Sequence, residues 1–138
     1  MGILLFFSVL SYASSTQITF SEFQNAVTST VSQMQAAKDQ DAYCGFFAFK
    51  DAQGLTLIVN SSAQTTQNIF IPKGSVVQFS EKTDPSKESS TKTYNFKNDL
   101  EEKATLKMIQ SHSAFYDFWA VMLSHNGQTV NCAVTAQN

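Results

Sequence analysis

The chain is 138 residues long, 43% hydrophobic with twelve Phe, and carries a formal net charge of −2. That is enough apolar material to bury one core, which excludes a disordered chain. The weak acidic balance gives no electrostatic reason to bind nucleic acid or an anionic membrane. All nine basic residues are Lys, so the guanidinium fork suited to phosphates is missing and phosphoryl transfer is disfavoured.

Residues 1–13 read as a secretory signal peptide. An apolar run from Ile3 to Leu10 is followed by Ser11 and Ala13, small residues at the −3 and −1 positions of a cleavage site. The run is far short of the ~20 apolar residues that span a bilayer. Phe6 stands where N-myristoylation at Gly2 would need Ser or Thr. The expected product is a single secreted globular domain, residues 14–138, with no transmembrane segment.

The first element after the leader is an amphipathic helix. Thr19-Phe-Ser-Glu22 fits a capping box, and Ile18 and Phe23 stand at the positions of a hydrophobic staple. Phe20, Phe23, Val27, Val31 and Met34 then form a stripe of helical period, which predicts a helix to about Lys38 with one face on a sheet.

After Asp39-Gln-Asp41 the pattern turns to strands. Tyr43 to Phe49 and Leu55 to Val59 flank the turn Asp51-Ala-Gln-Gly54, an antiparallel hairpin. Asn60 to Gln67 reads as a loop, and Ile69-Phe-Ile71 and Val76 to Phe79 as short strands broken at Pro72-Lys-Gly74. Ser80 to Lys92 holds no apolar residue and is expected to be a long exposed loop open to proteases. Thr93 to Phe96 is a further strand. Asn98 to Gln110 is read as a turn and then a strand, because Ala104, Leu106 and Met108 alternate. The last hairpin, Phe115 to Leu123 with Thr129 to Thr135, is marked by Asn126-Gly127, whose positive φ angles suit a tight turn.

Together these elements predict an α+β fold: an N-terminal amphipathic helix packed on an antiparallel sheet of six or seven strands. The alternative is a β-sandwich with the helix appended. Cys44 and Cys132 are the only cysteines, and in an exported chain they are expected to form a disulfide. Two cysteines without a His at ligand spacing make no metal site, and nothing in the pattern calls for a cofactor.

Chemistry-bearing residues are few. His112, Asp117 and His125 lie within fourteen residues of one another, with serines nearby, and are the only candidate catalytic group. No Gly-x-Ser-x-Gly elbow accompanies them, and the acidic residues form no evident glycosidase pair. Gln128-Thr-Val-Asn-Cys132 superficially resembles the Gln-x-Val-x-Gly hairpin motif of cystatin-type protease inhibitors. It has Cys in place of the final Gly and lies at the chain end, so no membership is read from it. Asn60-Ser-Ser62 is an N-glycosylation sequon in a predicted loop. Trp119, Tyr116 and Tyr94 are the aromatic residues that could stack on a ligand, although Trp119 is flanked by Phe118, Val121 and Leu123 as a core residue would be.

The function expected from this inventory is non-enzymatic binding of an extracellular protein, glycan or lipid. A small secreted hydrolase built on His112, Asp117 and His125, or an inhibitor of a foreign enzyme, is the alternative.

Overall fold

The structure, a computed structural model, describes residues 14–37 and 44–138. The leader 1–13, and Lys38 to Tyr43, where the sequence places the helix end and the start of the first strand, lie outside the described residues.

Strand β1 (Thr16–Ile18) leads into helix α1 (Phe20–Ala37). The capping box is formed: Thr19 N donates to Glu22 Oε1 and Glu22 N to Thr19 Oγ1, both at 3.0 Å. The Thr19 N–H bond first, and then the Thr19 hydroxyl donated to Glu22 Oε1, hold the Glu22 carboxyl below the usual range. Phe23, Val27, Val31 and Met34 are buried as the stripe requires.

Among the described residues eight strands follow: β2 (Gly45–Lys50), β3 (Gly54–Asn60), β4 (Thr66–Pro72), β5 (Val77–Asp84), β6 (Ser89–Lys97), β7 (Lys103–His112), β8 (Tyr116–His125) and β9 (Gln128–Gln137). Together with β1 they form a six-stranded sheet in the order β1-β5-β6-β7-β8-β9 and a three-stranded sheet in the order β2-β3-β4. Every pairing is antiparallel. The fold is α+β.

The leading sequence reading puts the strands in one sheet of six or seven, and its alternative, a β-sandwich, in two. A hairpin pairs locally in the same way whether it extends a sheet or starts a second one, so strand patterns alone do not divide them. Here β3 and β4 turn Leu55, Leu57, Val59, Ile69 and Ile71 onto the inner face of the larger sheet, next to β8 and β9. That face carries Tyr94, Leu106, Leu123 and Val130, opposed strand by strand. The helix lies in the same layer and is not an appendage: the Phe23 ring centroid is 5.2 Å from that of Tyr94 and 5.3 Å from that of Phe96. Truncating Phe23 would cost about 3–5 kcal/mol at such a site.

Two local features differ in outcome. The Asn126-Gly127 turn forms as its residues dictate, with φ of 52° and 74°. Ser80 to Lys92, expected as a loop, is instead strand on both arms, paired in unbroken register from Gln78↔Asn95 to Asp84↔Ser89. Only Pro85–Lys87 forms a turn, capped by Asp84, whose Oδ1 accepts from Ser86 N and Ser86 Oγ. The arm reaches past the core, so its strands need no apolar side chains. Backbone pairing and cross-strand bonds such as Ser90 Oγ to Glu81 Oε2, at 2.8 Å, hold it.

The disulfide joins Cys44, just before β2, to Cys132 on β9, with Cα atoms 5.4 Å apart. It therefore ties the smaller sheet to the larger one.

Candidate functional site

The turn between β7 and β8 presents two exposed aromatic side chains, one of them the most exposed large apolar side chain among the described residues. Phe115 is 77% exposed and Tyr116 49%. A tight turn displaying two aromatic rings would ordinarily be loose, but this one is cross-braced. Ser113 Oγ accepts from Phe115 N at 3.3 Å and Tyr116 N at 3.2 Å, and donates to Tyr116 O at 2.9 Å. Asn138 adds two more bonds, its N to Phe115 O at 2.9 Å and its Nδ2 to Ser113 O at 2.8 Å. The rings are thus held out on a fixed backbone, which reduces the ordering cost of binding through them. A shallow depression of about 520 Å³ opens beside them, walled by Ala36 and Ala37 of the helix and Thr135 and Ala136 of β9.

The foot of this turn is the pair His112–Asp117, opposed across β7 and β8 and bonded through Nδ1 and Oδ1. The Asp117 hydrogen bond, then its charge, raise the His112 pKa above the ordinary histidine value, and Glu88 adds to the effect. Ser113 is beside the pair in sequence, yet its hydroxyl is engaged with the turn backbone and is not aligned as a nucleophile.

His125 is elsewhere. It ends β8, about 26 Å along the strand from Asp117. There Glu102 Oε1 bonds both His125 Nε2, at 3.2 Å, and Asn98 Nδ2, at 2.8 Å. The Asn98 bond is the larger of the influences that hold the Glu102 carboxyl below its usual range. Asn98 is buried, and its Oδ1 accepts from Leu100 N and Glu102 N. Gln67 Nε2 caps the carbonyls of His125 and Gln128. These contacts brace the β6–β7 turn against the β8–β9 turn. The structure does not bring His112, Asp117 and His125 into one site.

Of the three aromatic candidates, only Tyr116 is exposed. Trp119 is 9% exposed and its Nε1 donates to Gln33 Oε1 at 3.2 Å. Tyr94 is 2% exposed, and burial, followed by the Glu81 charge, pushes its phenol up to about 12. Both rings belong to the core because residues 94 and 119 fall on the inward alternation of their strands. Phe115 was not singled out by sequence; its place after Ser-Ala in a predicted strand start gave no sign of projecting from a turn.

At the opposite end of the sheet, a wider cleft of about 860 Å³ lies between the β4–β5 connection and the β6–β7 turn, with Lys73, Lys97 and Lys103 among its walls. Asn60 closes β3, and its Oδ1 accepts from Thr66 Oγ1 at 2.8 Å. Among the described residues no group of three or more His, Cys, Asp or Glu is placed to hold a metal ion. Nor is any helix among them long and apolar enough to cross a membrane.

The architecture thus defines a disulfide-tied α+β protein with a braced aromatic turn. No protein-family model, curated protein or solved structure matches the chain.

Proposed function

We propose that this chain is a secreted, non-enzymatic binding domain whose ligand contact is the Phe115–Tyr116 turn. The observation that carries this reading is a pair of exposed aromatic rings on a backbone fixed by hydrogen bonds from Ser113 and Asn138. Aromatic side chains offer large contact area at low conformational cost, and a rigid display suits recognition. The leader-like run at residues 1–13 and the Cys44–Cys132 bridge support export, since such bridges persist in oxidising compartments. The Asn60 sequon would then carry a glycan at the end of β3, serving stability.

The test is a binding screen against arrays of glycans, lipids and extracellular proteins, run with the wild-type chain and with F115A/Y116A. The expected result is a ligand retained by the wild type and lost by the double variant. Turnover of a substrate that survives the double variant, with no ligand captured, would overturn the reading.

A further inference from the structure

The outer face of the six-stranded sheet carries a charge pattern that the net charge of −2 conceals. In the unbroken register, the residues that alternate with the buried ones put Lys82, Lys97, Lys103 and Lys107 on this one face. All four are exposed. Among the described residues the only carboxylate on the strands of this face is Asp84, at the far end of β5. Lys97 and Lys103 stand directly opposite each other across β6 and β7, an arrangement that costs stability in the absence of a counter-charge. Glu101 reaches Lys97 at 3.8 Å, and among the described residues Lys82, Lys103 and Lys107 have no ion pair at all.

An apolar stripe crosses the same face. Phe118, Ala120 and Met122 follow one another outward along β8, and Ile109 and Ala133 flank Ala120 on the neighbouring strands. Lys107 is directly opposite Met122. The stripe runs at its upper end into Tyr116 and the Phe115 turn. Around it the face is hydroxyl and amide, including Thr93, Asn95, Thr105 and Asn131.

We propose that this outer face docks on an anionic lipid surface. The lysine ammonium groups would meet the charged headgroups while Phe118, Met122 and Phe115 enter the interfacial layer. The inference rests on the reading of the chain as an extracellular binding domain and names its partner. A soluble polyanion would use the lysines equally well, but it gains nothing from Ile109 and Met122. A headgroup layer both neutralises the lysines and removes the stripe from water.

The test is sedimentation of the purified chain with phosphatidylcholine vesicles, with and without about 30% phosphatidylserine to supply the anionic surface. The expected result is binding to the anionic vesicles alone, weakened by salt. K103Q/K107Q should weaken it about tenfold or more, since each lysine acts independently at the surface. K50Q/K92Q makes the same charge change off this face, on β2 and on the inward alternation of β6, and should leave binding unchanged, and near-UV circular dichroism confirms that each variant is folded. M122S, at constant charge, should also weaken binding. Equal weakening by both lysine pairs, equal binding to neutral vesicles, or no vesicle binding would overturn the proposal. If vesicles fail but a glycan or protein ligand is captured through Phe115 and Tyr116, the lipid assignment falls and the binding-domain reading stands. If no ligand of any class is captured and a substrate is turned over, both fall.

Discussion

Cys44 and Cys132 are bonded across the boundary between the two sheets, 88 positions apart in the chain. One end lies just before the first strand of the smaller sheet, the other in the terminal strand of the larger one. The bridge therefore closes a loop containing all the strands of the smaller sheet and most of the larger. In the chain-entropy model a loop of that length is worth about 4–5 kcal/mol, an upper figure because the unfolded chain retains structure. Reduction, or the pair C44S/C132S, should lower the unfolding free energy by about 2–5 kcal/mol. Urea denaturation with and without reductant measures it, and coincident curves would show that the bridge adds nothing.

The His112–Asp117 pair makes stability depend on pH with a definite sign. Its folded pKa is raised above the unfolded value by the Asp117 bond and charge. The favourable term is complete below the ordinary histidine value and is lost as pH rises through the folded pKa. Both side chains reach solvent, so the effect is modest. NMR titration of the His112 ring should give a pKa above that of an unperturbed histidine, returning toward it in D117N. An unshifted wild-type titration would remove the pair from any account of pH dependence.

Gly54 is a packing requirement. A Cβ there would lie 2.2 Å from the carbonyl oxygen of Ile71, a backbone atom in the paired strand β4 that cannot swing aside. G54A should destabilise by about 2 kcal/mol or more, through displaced pairing of β3 and β4. At Gly127, by contrast, nothing lies within 4 Å, and the cost of G127A comes from its φ of +74° alone. Backbone strain of that kind is worth about 1 kcal/mol. Thermal melts of the two variants should rank G54A as the worse.

The β5–β6 arm should resist proteolysis in spite of its composition. Lys82 and Lys92 lie in paired strands, where a peptide bond cannot enter a protease cleft without opening the ladder. Lys87, in the Pro85–Lys87 turn, is exposed. Limited trypsinolysis of the native protein should cut after Lys87 before either strand position. Early cleavage at Lys82 or Lys92 would show that the arm opens readily.

Where local chemistry settles a conformation, the sequence was enough. The Thr19–Glu22 cap and the Phe23 to Met34 stripe define α1, since a helix's bonds and periodicity are internal to it. Asn126-Gly127 defines the last hairpin, and with it the row Trp119, Val121, Leu123 facing Val134, Cys132, Val130. Expecting the pairing of the two cysteines needed only their number and the reading of residues 1–13 as a leader. Composition misled at Ser80 to Lys92, because a polar stretch is a poor guide to strands held by backbone pairing, here β5 to β6 and β6 in turn to β7.

The candidate site was legible only in part. Tyr116 was in view, but Phe115 became notable only once Ser113 and Asn138 were seen to fix its turn, and Asn138 lies 25 positions from Ser113. His125 is near His112 and Asp117 in sequence but far in space from their bonded pair, because an extended strand separates residues by about 3.3 Å each.

The amino-acid sequence by itself determined the helix, the Asp51–Gly54 and Asn126-Gly127 turns and the cysteine pair, each dictated by contacts between near neighbours or by simple count. Tertiary structure alone decided between one sheet and two, and that Tyr94 turns inward. It also decided that four lysines scattered over twenty-six positions share one face. Those outcomes depend on strand register and on which face meets the core, and both are set by residues distant in the chain.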